Sequence, residues 1–137
     1  MKAIVCTGYG PPEVLQLREV EEPTPKHDQV RIKIHATAAT SSDTLVRGFN
    51  LHGPMRVAAR LILGIRRPRR AVLGLVLAGE IETVGADVRS FKVGDQVFGF
   101  EGFAFGSYAE YKCMAENGVL TAKPSNLSYE EAAAIPY

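Results

Sequence analysis

Glycine and proline cut this chain into short pieces, and that punctuation constrains its fold more than any other feature. Thirteen glycines and eight prolines separate runs of apolar or alternating character. Many short strands joined by glycine turns favour a barrel or sandwich over a succession of βαβ units. Ala3 to Thr7 reads as a strand stopped by Gly8-Tyr9-Gly10-Pro11-Pro12, and Val14 to Val20 as a second with mixed faces. Val30, Ile32, Ile34 and Ala36 alternate with Arg31, Lys33 and His35, the clearest half-buried strand in the chain.

From Val72 the run VLGLVLAGEIETVG is apolar at nearly every position until Glu80, and Gly74, Gly79 and Gly85 within it suit bends or bulges of a curled sheet. Gln96 to Phe98, Ser107 to Met114 and Val119 to Ala122 are further strand candidates. Helices are short. Thr40, Ser41, Ser42 and Asp43 can cap one over Ser42 to Arg47. Pro54 to Leu63 suits another, with proline in its first turn and Gly64 at its end. Ser128-Tyr129-Glu130-Glu131 has the order of a capping box and starts a third, which Pro136 limits to about Ile135.

A length of 137 residues with 46% apolar content fits one domain with a true core. The net charge of +1 indicates no polyanionic partner, so nucleic acid is not expected. Cys6 and Cys113 are too few for a disulfide framework and match no zinc spacing. No run approaches the roughly 18 to 20 apolar residues that cross a bilayer, and the N-terminus carries no signal-like segment, so a cytoplasmic location is expected.

Six segments in order, GYGPPEVLQL, ATAATSSDTLVRG, VLGLVLAGEIETVG, FKVGDQVFG, GSYAEY and LSYEEAAAIP, together resemble the N-terminal half of medium-chain dehydrogenase/reductases of the quinone oxidoreductase, zeta-crystallin-like type. The resemblance spans nearly the whole chain. It implies a mainly β fold over residues 1–137, a GroES-like, partly open β-barrel with short helices. It also implies a partner Rossmann domain that holds NADP or NAD and is absent from this chain. No nucleotide is then expected to bind these residues alone, and full-length relatives suggest a possible homodimer. An ending on Ile135-Pro136-Tyr137, just after a short helix, is expected to run on into that second domain.

The same resemblance addresses metal. The cysteine that ligates catalytic zinc in alcohol dehydrogenases of this family falls on Thr40, and the histidine of their Gly-His-Glu motif falls on Leu75. Leucine has no ligating atom and a threonine hydroxyl is a poor ligand for zinc, so neither catalytic nor structural zinc is expected. Zinc-free relatives often carry Asn at the place of Thr40 and Tyr at that of Leu45. The implied chemistry is hydride transfer from NAD(P)H to a quinone, enone or related activated small molecule. Thr40 and Ser42 would lie at the substrate or nicotinamide edge. By local physics alone both residues read first as caps of the helix that follows, and it is the resemblance that puts the cleft on an equal footing. Asp43 is a supporting residue in the family pattern and, by local physics, a first-turn carboxylate.

Other features admit plainer readings. Residues 44–79 contain seven arginines and no acid. A solvated insert pairing with acids elsewhere is the expectation, although Met55, Ala59, Ile62 and Ile65 could form an apolar stripe against a membrane. His27, His35 and His52 lack ligand spacing, and both cysteines read as structural. Gly99, Gly102 and Gly106 do not form a dinucleotide fingerprint. Phe100, Phe103 and Phe105 could wall an apolar pocket or fill a barrel end. Competing with the reductase reading are a zinc alcohol dehydrogenase, opposed by Thr40 and Leu75, and a stand-alone interaction module.

Overall fold

A computed structural model describes residues 1–136. The chain is mainly β, as two antiparallel sheets with three short helices. Strands β1 (Lys2–Cys6) and β2 (Leu15–Glu19) form a hairpin, joined by the glycine-proline turn that ends the first apolar run. Five further strands, β3 (Gln29–Ala36), β4 (Val76–Val84), β5 (Gln96–Phe100), β6 (Tyr111–Ala115) and β7 (Leu120–Ala122), form the second sheet in the order β6-β3-β4-β5-β7. The sheets remain open. They meet through single bridges, Ala3 with Ala109 and Val5 with Val72.

Strand β4 runs through the middle, and its composition follows from being covered on both faces. Leu77 and Ile81 pack with Val30, Ile32, Val97 and Met114 on one side. On the other, Val76 joins Cys6, Val46, Leu73, Leu75 and Phe105, while Ala78 meets Ala132 and Ala133. Gly79 lies where β3 crosses closest, and a Cβ there would run into the Lys33 carbonyl. The β3–β4 register shifts beside this contact, between Ile34 and Ala36, which is the bulge expected of a glycine in a strand.

The helices are α1 (Ser41–Gly48), α2 (Gly53–Leu63) and α3 (Tyr129–Ala134). Thr40 with Asp43 and Ser128 with Glu131 make reciprocal capping boxes at α1 and α3. The small face of α3 packs Ala132 and Ala133 against the sheet. His35 is exposed as expected, and its ring stacks on Tyr129 at 4.4 Å.

Two strand expectations need correction. Leu73, Gly74 and Leu75 are not strand: Gly74 has a φ of +97, so the chain folds inward there and β4 begins only at Val76. Ser107 to Glu110 is irregular too, stitched by Tyr108 O to Ile4 N and by Glu110 N to Lys2 O, and β6 starts at Tyr111. Tyr137 lies outside the described residues.

Candidate functional site

Three segments distant in sequence meet at one cavity of about 250 Å3. From α1 come Ser42 and Val46; from the inward turn before β4 comes Leu75; from the end of β5 and the loop after it come Phe100, Phe103 and Phe105. Ser42 supplies the polar side chain on this wall. Phe103 is 84% exposed, Phe105 is buried, and their rings meet edge to face at 6.3 Å. The aromatic trio therefore divides: Phe105 fills the barrel end and Phe103 forms an open lip.

The start of α1 is held by Asp43, a buried carboxylate with several donors. Its Oδ2 accepts from the Thr40 amide at 3.0 Å and from the Thr40 hydroxyl at 2.7 Å. Its Oδ1 accepts from the Gly74 amide at 3.0 Å, and the Tyr108 side chain lies near the same carboxylate. Asp43 thus ties the turn that carries Ser42 to the turn that carries Leu75. Burial, followed by the charge of Asp43, holds the Tyr108 hydroxyl far above its usual range. Tyr108 stays protonated and braces the site; it is no reservoir of exchangeable protons near neutrality. Gly74 must remain small here, since a Cβ would lie 2.7 Å from the Tyr108 ring.

A second clamp holds the aromatic loop. The Lys112 ammonium donates to the Phe105 carbonyl and lies 3.5 Å from the Glu101 carboxylate. Glu101 is largely buried. Desolvation pushes its carboxyl above the ordinary value, and the positive charges of Lys112 and Arg70 only partly offset this.

The sequence-derived candidates separate on this geometry. Ser42 lines the cavity. Thr40 is buried, caps α1, accepts from the Asp43 amide at 3.3 Å and spends its one hydroxyl proton on Asp43, so it faces inward. Asp43 is the first-turn carboxylate of α1 that local sequence suggests, but it is buried and its contacts reach beyond the helix. Its Gly74 partner and the neighbouring Tyr108 lie far along the chain and leave no local signature. Lys112 and Glu101 carried no motif either. Both thiols are raised by burial, as suits structural cysteines. Gly99 lies in β5, Gly102 opens a single 3-10 turn (Gly102–Ala104) and Gly106 follows it, so among the described residues these glycines lead into no α-helix N-terminus that could receive a pyrophosphate.

The fold family raises the question of zinc, and the donor set does not fit it. Leu75 offers no lone pair, and the Thr40 hydroxyl is already held by Asp43. Among the described residues no three His, Cys, Asp or Glu side chains are grouped to hold a metal.

Comparison with known proteins gives a consistent picture. The family described as the alcohol dehydrogenase GroES-like domain matches residues 26–125. An NAD(P)H oxidoreductase of Dictyostelium discoideum, RTN4IP1, mitochondrial, is 33% identical over 142 residues, covering 100% of this chain and 37% of its own. The quinone oxidoreductase of Sus scrofa is 37% identical over 141 residues, with 100% and 38% covered. The solved quinone oxidoreductase of Coxiella burnetii superposes with a TM-score of 0.80 at 32% identity, over 97% of this chain and 40% of that one. The Escherichia coli quinone oxidoreductase complexed with NADPH gives 0.79 at 25% identity, over 98% and 37%. This chain therefore spans less than half the length of each.

Proposed function

Because the chain belongs to the alcohol dehydrogenase GroES-like domain family, we propose that it forms the substrate-side wall of an NAD(P)H-dependent oxidoreductase. Its substrates would be quinones, enones or related small molecules with an activated C=C or C=O, reduced without a metal. The observation that carries this reading is the cavity itself. One hydroxyl, Ser42, is set in a wall of Val46, Leu75 and phenylalanines, with Leu75 standing where the resemblance puts a histidine ligand of zinc-type relatives.

Such a wall excludes water and orients an apolar substrate, and the Ser42 hydroxyl set in it would be a donor to the oxygen on which charge develops. NAD(P)H, held by a second domain, supplies the hydride. Thr40 borders the same edge and acts as a positioning residue, since its hydroxyl is directed at Asp43. A cytoplasmic location and a homodimer of the full-length protein complete the proposal.

The test is a spectrophotometric assay of the full-length natural protein, following NADH or NADPH oxidation with a panel of quinones and enones, with and without a zinc chelator. Oxidation that depends on the acceptor and survives chelation is the expected result. Absence of turnover would sink the reductase reading, and loss of activity on chelation would sink the metal-free one.

A further inference from the structure

Helix α2 is placed on the domain in an unusual way, since none of its residues is buried. At about 100° per residue, Met55, Val57, Ala58, Leu61 and Ile62 fall within one arc. All five are exposed, while Ala59, Arg60 and Leu63 on the opposite side face the domain and are only half-buried. The outward face of this helix is therefore wholly apolar. Val57, Leu61, Ile62 and the following Ile65 are 63%, 61%, 72% and 61% exposed. Isolated surface hydrophobes need no explanation, but a continuous face of them does.

Charge identifies what covers this face. Arg66, Arg67, Arg69 and Arg70 follow the helix directly and are all exposed. Sequence patterning favours pairing with acids elsewhere, yet among the described residues none of the seven arginines of residues 44–79 lies in an ion pair. Arg60 lies over the Phe49 ring, 5.4 Å away, and close enough to Tyr9 for its charge to act on that hydroxyl. Of the four that follow the helix, Arg70 has a carboxylate near enough to feel its charge, Glu101, and a cluster of guanidinium groups without ion pairs beside an apolar helix face suits a surface of phosphates over hydrocarbon. An oligomer interface would bring the same arginines against one another, and water leaves the apolar face unsatisfied.

We propose that α2 and the segment Ile65–Arg70 dock the protein on an anionic lipid bilayer, the helix lying in the plane of the interface and the arginines contacting headgroup phosphates. No helix among the described residues is long and apolar enough to cross a membrane, so the contact is one of adsorption. Ile62 shares a cavity with Phe103 and Phe105, so the docked face reaches the lip of the Ser42 pocket. The docking does not depend on the oxidoreductase reading.

Co-sedimentation of the full-length natural protein with vesicles tests this, comparing pure phosphatidylcholine with phosphatidylcholine containing phosphatidylglycerol. Binding is expected to the anionic vesicles, weakened by salt. Each arginine among Arg66, Arg67, Arg69 and Arg70 changed to glutamine should lower partitioning by about fivefold. The pair Val57→Glu and Leu61→Glu, at exposed positions that leave the core untouched, should abolish it. Three outcomes would overturn the proposal: no binding to anionic vesicles, equal binding by these variants, or sedimentation velocity showing a dimer that Leu61→Glu dissociates, which would assign the face to a second copy.

Discussion

At the scale of single residues, Asp43 is the most constrained side chain of the site. Replacing its carboxylate with an amide turns an acceptor into a donor facing amide and hydroxyl protons, which leaves buried groups unpaired. Asp43→Asn should cost about 2–3 kcal/mol in denaturant unfolding, and Tyr108→Phe, which removes a hydroxyl near the same carboxylate but leaves its hydrogen bonds to Thr40 and Gly74 in place, about 1 kcal/mol or less. Equal small effects from the two would mean that the network is not holding the turn. Little of this was legible in the sequence. The order Thr40-Ser41-Ser42-Asp43 announces a cap, and the cap is present, but it is silent on Gly74 and Tyr108, which complete the site from 31 and 65 positions away.

At the scale of elements, what could be read was what depends on neighbours in sequence. The capping boxes, the proline in the first turn of α2 and Gly64 at its end are local chemistry, and they placed all three helices to within a residue or two. The alternation of β3 was equally plain, because one of its faces is buried by Val30 and Ile32. The break at Leu73-Gly74-Leu75 was not, since two buried leucines around a glycine look like strand until the inward turn at Gly74 is seen. Ser128→Ala should lower stability by about 1 kcal/mol through loss of the α3 cap. Gly79→Ala should cost more than about 2 kcal/mol, because its methyl meets backbone in the central strand pair rather than a side chain that can move. Thermal melts of the two variants would check this order, and the reverse order would contradict the close approach of β3 and β4.

For the molecule as a whole, the carboxyl groups pull stability in opposite directions with pH. Glu101 is raised above its ordinary 4.5 on folding, so its favourable contribution is full below about that pH and is lost as pH rises through the folded value. Glu116 is lowered, mainly by the Ser90 and Arg89 amides that it accepts from, so its contribution is present above 4.5 and lost as pH falls. Glu101→Gln should therefore flatten the decline in melting temperature between pH 4.5 and neutrality and leave the acid limb unchanged. An unaltered profile would show that the Lys112 charge fully compensates the buried carboxylate. The mainly β architecture itself was legible from glycine spacing, whereas the openness of the sheets was legible only through the family resemblance, because no residue pattern marks β6 and β7 as edges.

The chain between Phe49 and Val72 leaves the sheet and returns to it at fixed moorings. Phe49 ends α1 in a left-handed turn, and the Ala71 carbonyl accepts from the Cys6 amide. Between those points no residue of α2 is fully buried, though Leu63 packs against the cluster of Val46, Leu75 and Phe105, and the Asp43 clamp is anchored just outside the excursion, at Gly74. An excursion held this lightly can change at its outer face while Leu63 keeps its contact with the pocket wall. Where a protein of this kind resides and what it adheres to can thus diverge among descendants that keep one chemistry.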